Sequence, residues 1–271
     1  MNAQIAPAAS TNHIVLDPVL SALKTSVPAP RYNEAALFAE AFYARLTPEE
    51  YALRDAADWA ALARGFLQFA RSRKPGQPAI RVFNPNREEH GWESPHTVIQ
   101  IANDDMPFLV DSVGMVLAQY ELGIHVLGHP VLAVRRDPGG NVLAFGEGSR
   151  ESLMHIEVDR LAESSDMVRI AESLRDALDD VRCVVADWKP MHEKLRATAA
   201  ELATVTGKMA QERIAESRDF LEWAADDHFI LIGYREYAVE DLDGEAMLKP
   251  LQDTGLGLLR SDARAGKPRS V

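Results

Sequence analysis

The chain has 271 residues, 46% of them apolar, and a formal net charge of −12 from 41 acidic and 29 basic side chains. Its apolar content suffices for a sizeable core and excludes an intrinsically disordered chain, while the acidic balance argues against nucleic acid or an anionic membrane as partner. A single cysteine rules out an intrachain disulfide, and no apolar run approaches the roughly 18–20 residues of a membrane span. The opening segment has no basic leader and is interrupted by Asp17 and Pro18, so the expected location is cytoplasmic.

In chain order, residues 1–31 are rich in Ala, Pro and Ser and read as a poorly ordered lead-in. Residues 32–77 read as a helical subdomain. In NEAALFAEAFYARL the apolar stripe is Leu37, Phe38, Ala41, Phe42 and Leu46, and Thr47–Glu50 has capping-box spacing with proline at the first helical position. A second helix, roughly Asp55 to Arg73, aligns Trp59, Ala63, Phe66, Leu67 and Ala70 before KPGQP ends it.

Beyond Pro78 the period changes to that of strands. AIRVFNP and HTVIQIAN are two, and IHVLGHPVLAVRRD turns through PGGN into VLAFGE as a long hairpin. SLMHIEVDR is a further strand. SDMVRIAESLRDALDD is a helix capped by Ser165 or Asp166, with Val168, Ile170, Leu174 and Leu178 largely on one side. VRCVVADW reads as a closing strand in which Cys183 acts as a small hydrophobe. The resulting fold class is α+β: a helical N-terminal lead, a ferredoxin-like βαββαβ domain with an inserted hairpin over residues 78–189, and a long helical connector. Residues 190–271 contain that connector, to about Asp227 with a weak point at TVTGKM, and a strand in HFILIGYREYAVED that turns at Leu242–Gly244. The last residues read as the start of a further, truncated domain.

The stretch VIQIANDDMPFLVDSVG, Val98 to Gly114, runs from a strand through a carboxylate-rich turn into a helix. Pro107 suits the first helical position, Asp104 or Asp105 can cap free amides, and Asp111 sits where the helix dipole favours negative charge. Leu109, Val113, Val116, Leu117 and Tyr120 form its apolar stripe, and Gly123 suits the C-terminal cap. The turn is therefore either a helix cap alone or a cap with an effector pocket, for which the candidate residues are Asn103, Asp104, Asp105, Met106, Phe108 and Asp111.

Other constellations carry less. His125 and His129 lie four apart on a predicted strand, about 13 Å along it, too far to share one ion, and His155 completes no telling spacing; no metal site is expected. Gly255–Arg260 (GLGLLR) lacks the third small residue and the following helix of a dinucleotide loop and reads as a turn. Asp226, Asp227 and His228 are adjacent, and the side chains of sequence neighbours diverge. No nucleophile elbow, Walker loop or zinc motif is present, so no catalytic residue is assigned.

Several long motifs carry a resemblance: RKPGQPAIRVFNP, GWESPHTVIQIANDDMPFLVDSV, IHVLGHPVLAVRRD, DWKPM, and FLEWAADDHFILIGYREY followed by TGLGLLR. From about Tyr32 to Arg260 the chain resembles the N-terminal region of the large bacterial NAD-specific glutamate dehydrogenases. The resemblance implies a fragment of a much longer enzyme that converts L-glutamate, NAD and water to 2-oxoglutarate, ammonia and NADH. It also implies that the catalytic part and its NAD lie elsewhere, so no cofactor is expected here. The region would contain an ACT-like module, ferredoxin-like and regulatory. Its implied partners are the rest of the parent chain, further copies in a homo-oligomer, and an amino-acid effector bound near the first strand-to-helix turn.

In ACT modules that bind amino acids a common pattern at that turn is Asp-x-Pro-Gly, whereas this chain reads Asp105-Met106-Pro107-Phe108. Glycine lets a ligand approach the backbone; a phenyl ring obstructs it. The departure favours a regulatory or assembly role over the alternative, an amino-acid-sensing module.

Overall fold

Leu16, Val19, Leu20 and Leu23 recur at helical spacing, and Val19 and Leu23 are fully buried. In the computed structural model, which describes residues 13–44, 46–205, 211–242, 245–261 and 269–270, they belong to a helix, α1 (His13–Ser26). The expected disordered lead-in is thus corrected over residues 13–26: burial of this stripe outweighs the Pro18 inside the helix. Helices α2 (Tyr32–Tyr43), α3 (Pro48–Tyr51) and α4 (Ala56–Ala70) follow. The capping box closes as expected, Glu50 N donating to Thr47 Oγ1 at 3.2 Å and Thr47 N to Glu50 Oε2 at 2.8 Å. Asp55 caps α4 by accepting from Asp58 N at 2.8 Å.

The chain divides into two units, one ending at Leu178 and the other beginning at Asp179. The sheet of the first comprises β1 (Ala79–Phe83), β2 (Thr97–Asp104), β3 (Ile124–Gly128), β4 (Val131–Arg136), β5 (Val142–Phe145) and β6 (Ser149–Val158). A short α5 (Arg87–His90) follows β1, and α6 (Leu109–Gln119) links β2 to β3. Strand β6 is central. It pairs antiparallel with β2, Ile99 opposite Ile156, and on its other side with β3 and β4, Leu127 opposite Ile156 and Leu132 opposite Glu151. Strands β2 and β3 therefore run parallel on either side of β6 with α6 as crossover, the split βαβ unit of a ferredoxin-like fold. The long hairpin arm is interrupted at His129-Pro130 into β3 and β4, and β5 returns along β4 after the turn at Asp137–Asn141.

The other edge corrects the sequence reading. Strand β1 pairs antiparallel with β2, Ile80 opposite Ile101. The edge position beside β2 is thus filled from upstream, and VRCVVADW finds no free edge there. Instead α7 runs from Ser164 to Ala186, so Cys183 is a half-buried helical residue with a free thiol. The helical period was already present: Ile170, Leu174, Leu178, Val181 and Val184 are buried at spacings of three and four.

Phe38, Phe42, Trp59 and Phe66 of α2 and α4 form one core with Val98, Ala102, Val134 and Leu153 of the sheet. At Gly128 a Cβ would stand 2.3 Å from Phe42 Cε2, so only hydrogen fits under that ring. Ile99, Ile101, Met154 and Ile156, of opposite parity on β2 and β6, are fully buried as well, as are Leu117 of α6 and Ile170 and Leu174 of α7. Both faces of the sheet are covered.

In the second unit α8 (Trp188–Leu202) and α9 (Gln211–Trp223) supply the expected helical stretch, ending in a π-helical turn at Ala224–His228. The weak point expected at TVTGKM falls partly on residues outside the described ones. β7 (Gly233–Tyr234) pairs with β10 (Leu256–Gly257), and β8 (Tyr237–Leu242) with β9 (Glu245–Pro250), which also pairs with β11 (Arg269–Ser270). The turn expected at Leu242–Gly244 includes residues 243–244, outside the described ones. Among the described residues no helix is long and apolar enough to cross a membrane.

Candidate functional site

Strand β2 ends at Asp104 and α6 begins at Leu109, with Phe108 at the N-cap. The N-cap is thus Phe108, whose side chain makes no capping bond, and Pro107 precedes the helix, so the expected N-cap and first-turn proline are corrected. Asp104 instead accepts from Arg73 Nη2 at 2.6 Å, and Asp105 from Arg150 Nε at 2.9 Å. A guanidinium offers each carboxylate a charge-assisted bond, stronger than one to a neutral amide. Asn103 is fully buried, Met106 is half-buried, and Asp111 lies exposed in the first turn of α6, where the dipole favours it.

Phe108 adopts φ 67°, ψ 7°, the left-handed region, and its side chain remains 37% exposed. It holds the backbone shape that glycine takes without steric cost. At the other end of α6 the left-handed residue is Glu121, and Gly123 donates its N–H to Asp159 Oδ2 at 2.7 Å instead of capping the helix.

Beneath α2 and α4 the sheet carries a buried polar network, of which the sequence reading named only His155, and that as a metal ligand to be dismissed. Arg81 Nε donates to Gln100 Oε1 at 2.8 Å, Gln100 Nε2 contacts His155 Nδ1 at 3.0 Å, and His155 Nε2 contacts Glu157 Oε1 at 3.1 Å. Glu157 Oε2 accepts from Arg54 at 2.6 Å and from Ser94 at 2.7 Å. Because the Gln100 oxygen serves Arg81, its amide nitrogen must donate, and His155 Nδ1 must accept. His155 is then the neutral tautomer, donating from Nε2 to Glu157. Burial pushes its pKa down, with Glu157 opposing. Burial opposes ionisation of Glu157, but His155 and Arg54 prevail and hold its carboxyl well below the usual range.

A second cluster surrounds Glu151, also fully buried. Arg136 reaches it with two bonds of 2.6 and 2.7 Å, and Arg73 adds one of 2.9 Å. Arg136 also donates to the carbonyl of Ala70 at 2.9 Å, satisfying an end carbonyl of α4. Glu151 is thus held by two arginines and Glu157 by Arg54, Ser94 and His155, contacts that tie β6 to β4 and to the connections flanking α4.

The remaining constellations disperse. His125 pairs with Asp159 at 2.7 Å, His129 with Ser152 at 2.6 Å, and His155 lies in the core. Among the described residues no group of three or more His, Cys, Asp or Glu could hold a metal ion. His228 contacts the Trp223 carbonyl at 2.9 Å and stacks on that ring, away from any carboxylate pairing with its neighbours. In GLGLLR, Gly257 has φ 57° and a Cβ there would stand 2.5 Å from Ile232 O. Asp187 of DWKPM accepts from Gly257 N at 2.7 Å and pairs with Arg260, which joins two of the quoted motifs.

The sequence profile described as "Glutamate dehydrogenase, ACT1 domain" matches residues 38–174, half of the chain and all of its six-stranded sheet. The chain belongs to the glutamate dehydrogenase ACT1 domain family. Curated relatives called NAD-specific glutamate dehydrogenase agree: that of Pseudomonas aeruginosa is 36% identical over 84% of this chain and 14% of the relative. That of Halomonas elongata is 35% identical over 89% of this chain and 15% of the relative. A third, from Mycobacterium tuberculosis, is 23% identical over 74% and 12%. The ACT1 chain therefore spans about one seventh of the length of the curated relatives it matches. At GLGLLR a Cβ on Gly255 or Gly257 of the ACT1 chain would meet the backbone of Leu259 or Ile232.

Proposed function

We propose that this chain is the N-terminal regulatory or assembly region of an NAD-specific glutamate dehydrogenase. The parent enzyme would be cytoplasmic and would convert L-glutamate, NAD and water to 2-oxoglutarate, ammonia and NADH. The chemistry and the NAD would belong to the rest of the parent chain, which is this region's first partner. The observation that carries the reading is the commitment of its buried carboxylates, Glu151 and Glu157, to arginine pairs that tie β6 to β4 and to the connections on either side of α4. Such pairs suit a rigid element that positions other parts of an enzyme.

Within that reading, assembly into a homo-oligomer is favoured over sensing, because Asp104 and Asp105 are engaged by Arg73 and Arg150. Assembly is tested by sedimentation equilibrium: the mass should rise with protein concentration, and a constant monomer mass would refute it.

One observation supports the second reading, an amino-acid effector held at Asn103, Asp104, Asp105, Met106, Phe108 and Asp111. Phe108 holds a left-handed backbone, a conformation glycine adopts freely, at the position where the pattern Asp-x-Pro-Gly of amino-acid-binding ACT modules has glycine. A sensor requires that one amino acid raise the unfolding midpoint and that Asp105→Ala remove the shift while the fold persists. No shift across an amino-acid panel would exclude it.

A further inference from the structure

A cleft of about 480 Å³ opens between the α1–α2 connection, α4, β1 and α5, within the size range of small-molecule sites. Its walls carry Arg31, Arg64, Arg71 and Arg81 against two carboxylates, Glu34 and Glu89. Arg71 is neutralised by Glu34, and Glu89 accepts from Asn86 at 3.0 Å. Among the described residues no carboxylate pairs with Arg31, Arg64 or Arg81. With Glu89 still charged, the walls carry two more arginines than carboxylates, a local reversal of sign on a chain of net charge −12, and a recessed, net positive patch draws small anions.

Arg81 is the fixed point. Its Nε and Nη2 are used on Gln100 and on the Gly65 carbonyl, and its guanidinium lies 4.8 and 4.7 Å from the ring centres of Phe69 and Phe83. All these partners are uncharged, so burial pulls the group down to about 10. Nη1 has no protein acceptor among the described residues. The orientation is preset, and a ligand anion would supply the missing countercharge without ordering the side chain. Phe69 and Trp92 add an apolar wall beside the arginines.

We propose that this cleft binds a small organic carboxylate, its anionic group between Arg81, Arg64 and Arg31 and its carbon skeleton against Phe69 and Trp92. A planar carboxylate can take one bond from Arg81 Nη1 and meet the guanidinium forks of Arg31 and Arg64, and the apolar wall suits a carbon-bearing ligand better than inorganic phosphate. The site is separate from the β2–α6 turn and stands whether or not the chain assembles.

The test is calorimetric titration of the 271-residue chain with glutarate, its neutral counterpart glutaramide, and inorganic phosphate. Glutarate should bind saturably and glutaramide should not. Arg31 and Arg64 are exposed, so Arg31→Glu/Arg64→Glu should fold, as circular dichroism would check, and should weaken glutarate by at least about tenfold. The distant Arg175→Glu, with a like change of charge sign, should leave the affinity unchanged. Absence of glutarate binding, or binding indifferent to the double substitution, would overturn the proposal. So would phosphate binding as tightly as glutarate, which would mark a general anion trap.

Discussion

His155 donates to the Glu157 carboxylate across 3.1 Å while its other ring nitrogen is held 3.0 Å from the Gln100 amide. Burial lowers the His155 pKa and the Gln100 amide takes the neutral imidazole as its acceptor, against the opposing pull of the Glu157 carboxylate. Protonation is then easier in the unfolded chain, whose histidine titrates near 6.5, roughly. The contribution to stability is complete above that value and is lost as pH falls toward the lower folded pKa. The depressed Glu157 pKa acts in the same direction in a lower window, below about 4.3. Urea unfolding should therefore show falling stability from pH 7 to 5.5. In His155→Gln, which cannot titrate, that part of the slope should be reduced; an unchanged slope would contradict the neutral assignment.

The two acidic partners of Arg73 should differ sharply. Glu151 is fully buried and also serves Arg136, whereas the Asp104 side chain is 35% exposed. Glu151→Gln removes the shared countercharge of two largely buried guanidiniums and should cost about 3–5 kcal/mol. Asp104→Asn should cost about 1 kcal/mol or less. Denaturant midpoints of the two variants measure the difference, and equal losses would refute this account of the cluster.

Gly128→Ala should destabilise by about 1–3 kcal/mol, because the new methyl meets the Phe42 ring. Combining it with Phe42→Leu should recover part of the loss, so the double-mutant cycle should show coupling between the two positions. Strict additivity would mean that the ring moves aside at no cost.

Phe108→Gly should hold or raise stability, by up to about 1 kcal/mol, since glycine adopts the left-handed backbone freely and the lost ring is partly exposed. Phe108→Val should lower it, a β-branched residue being poorly tolerated at positive φ. Thermal unfolding of the pair gives the order directly. If valine exceeds glycine, the turn does not require this conformation.

Local patterns were legible and partner choice was not. The Thr47–Glu50 capping box, the α4 stripe around Trp59 and Phe66, and the Asp137–Asn141 hairpin are written over a few adjacent residues. The turn after β2 was also located correctly. Its carboxylates were assigned to helix capping because their real partners, Arg73 and Arg150, lie 31 and 45 positions away. Arg73 and Glu151 are 78 apart, and no local periodicity encodes such a pair. The misplaced strand has a topological cause: VRCVVADW is apolar enough for a sheet, but β1 already occupies the edge beside β2. A hint of the buried network was present in β6, where Glu151, His155 and Glu157 share one parity of a strand otherwise rich in apolar residues.

The central claim is that this region serves the assembly of a larger dehydrogenase. Sedimentation equilibrium of the chain over a wide concentration range tests it most directly. The account predicts a weight-average mass that climbs above the 29.9 kDa of one chain as concentration rises. A mass that stays at 29.9 kDa throughout would contradict it.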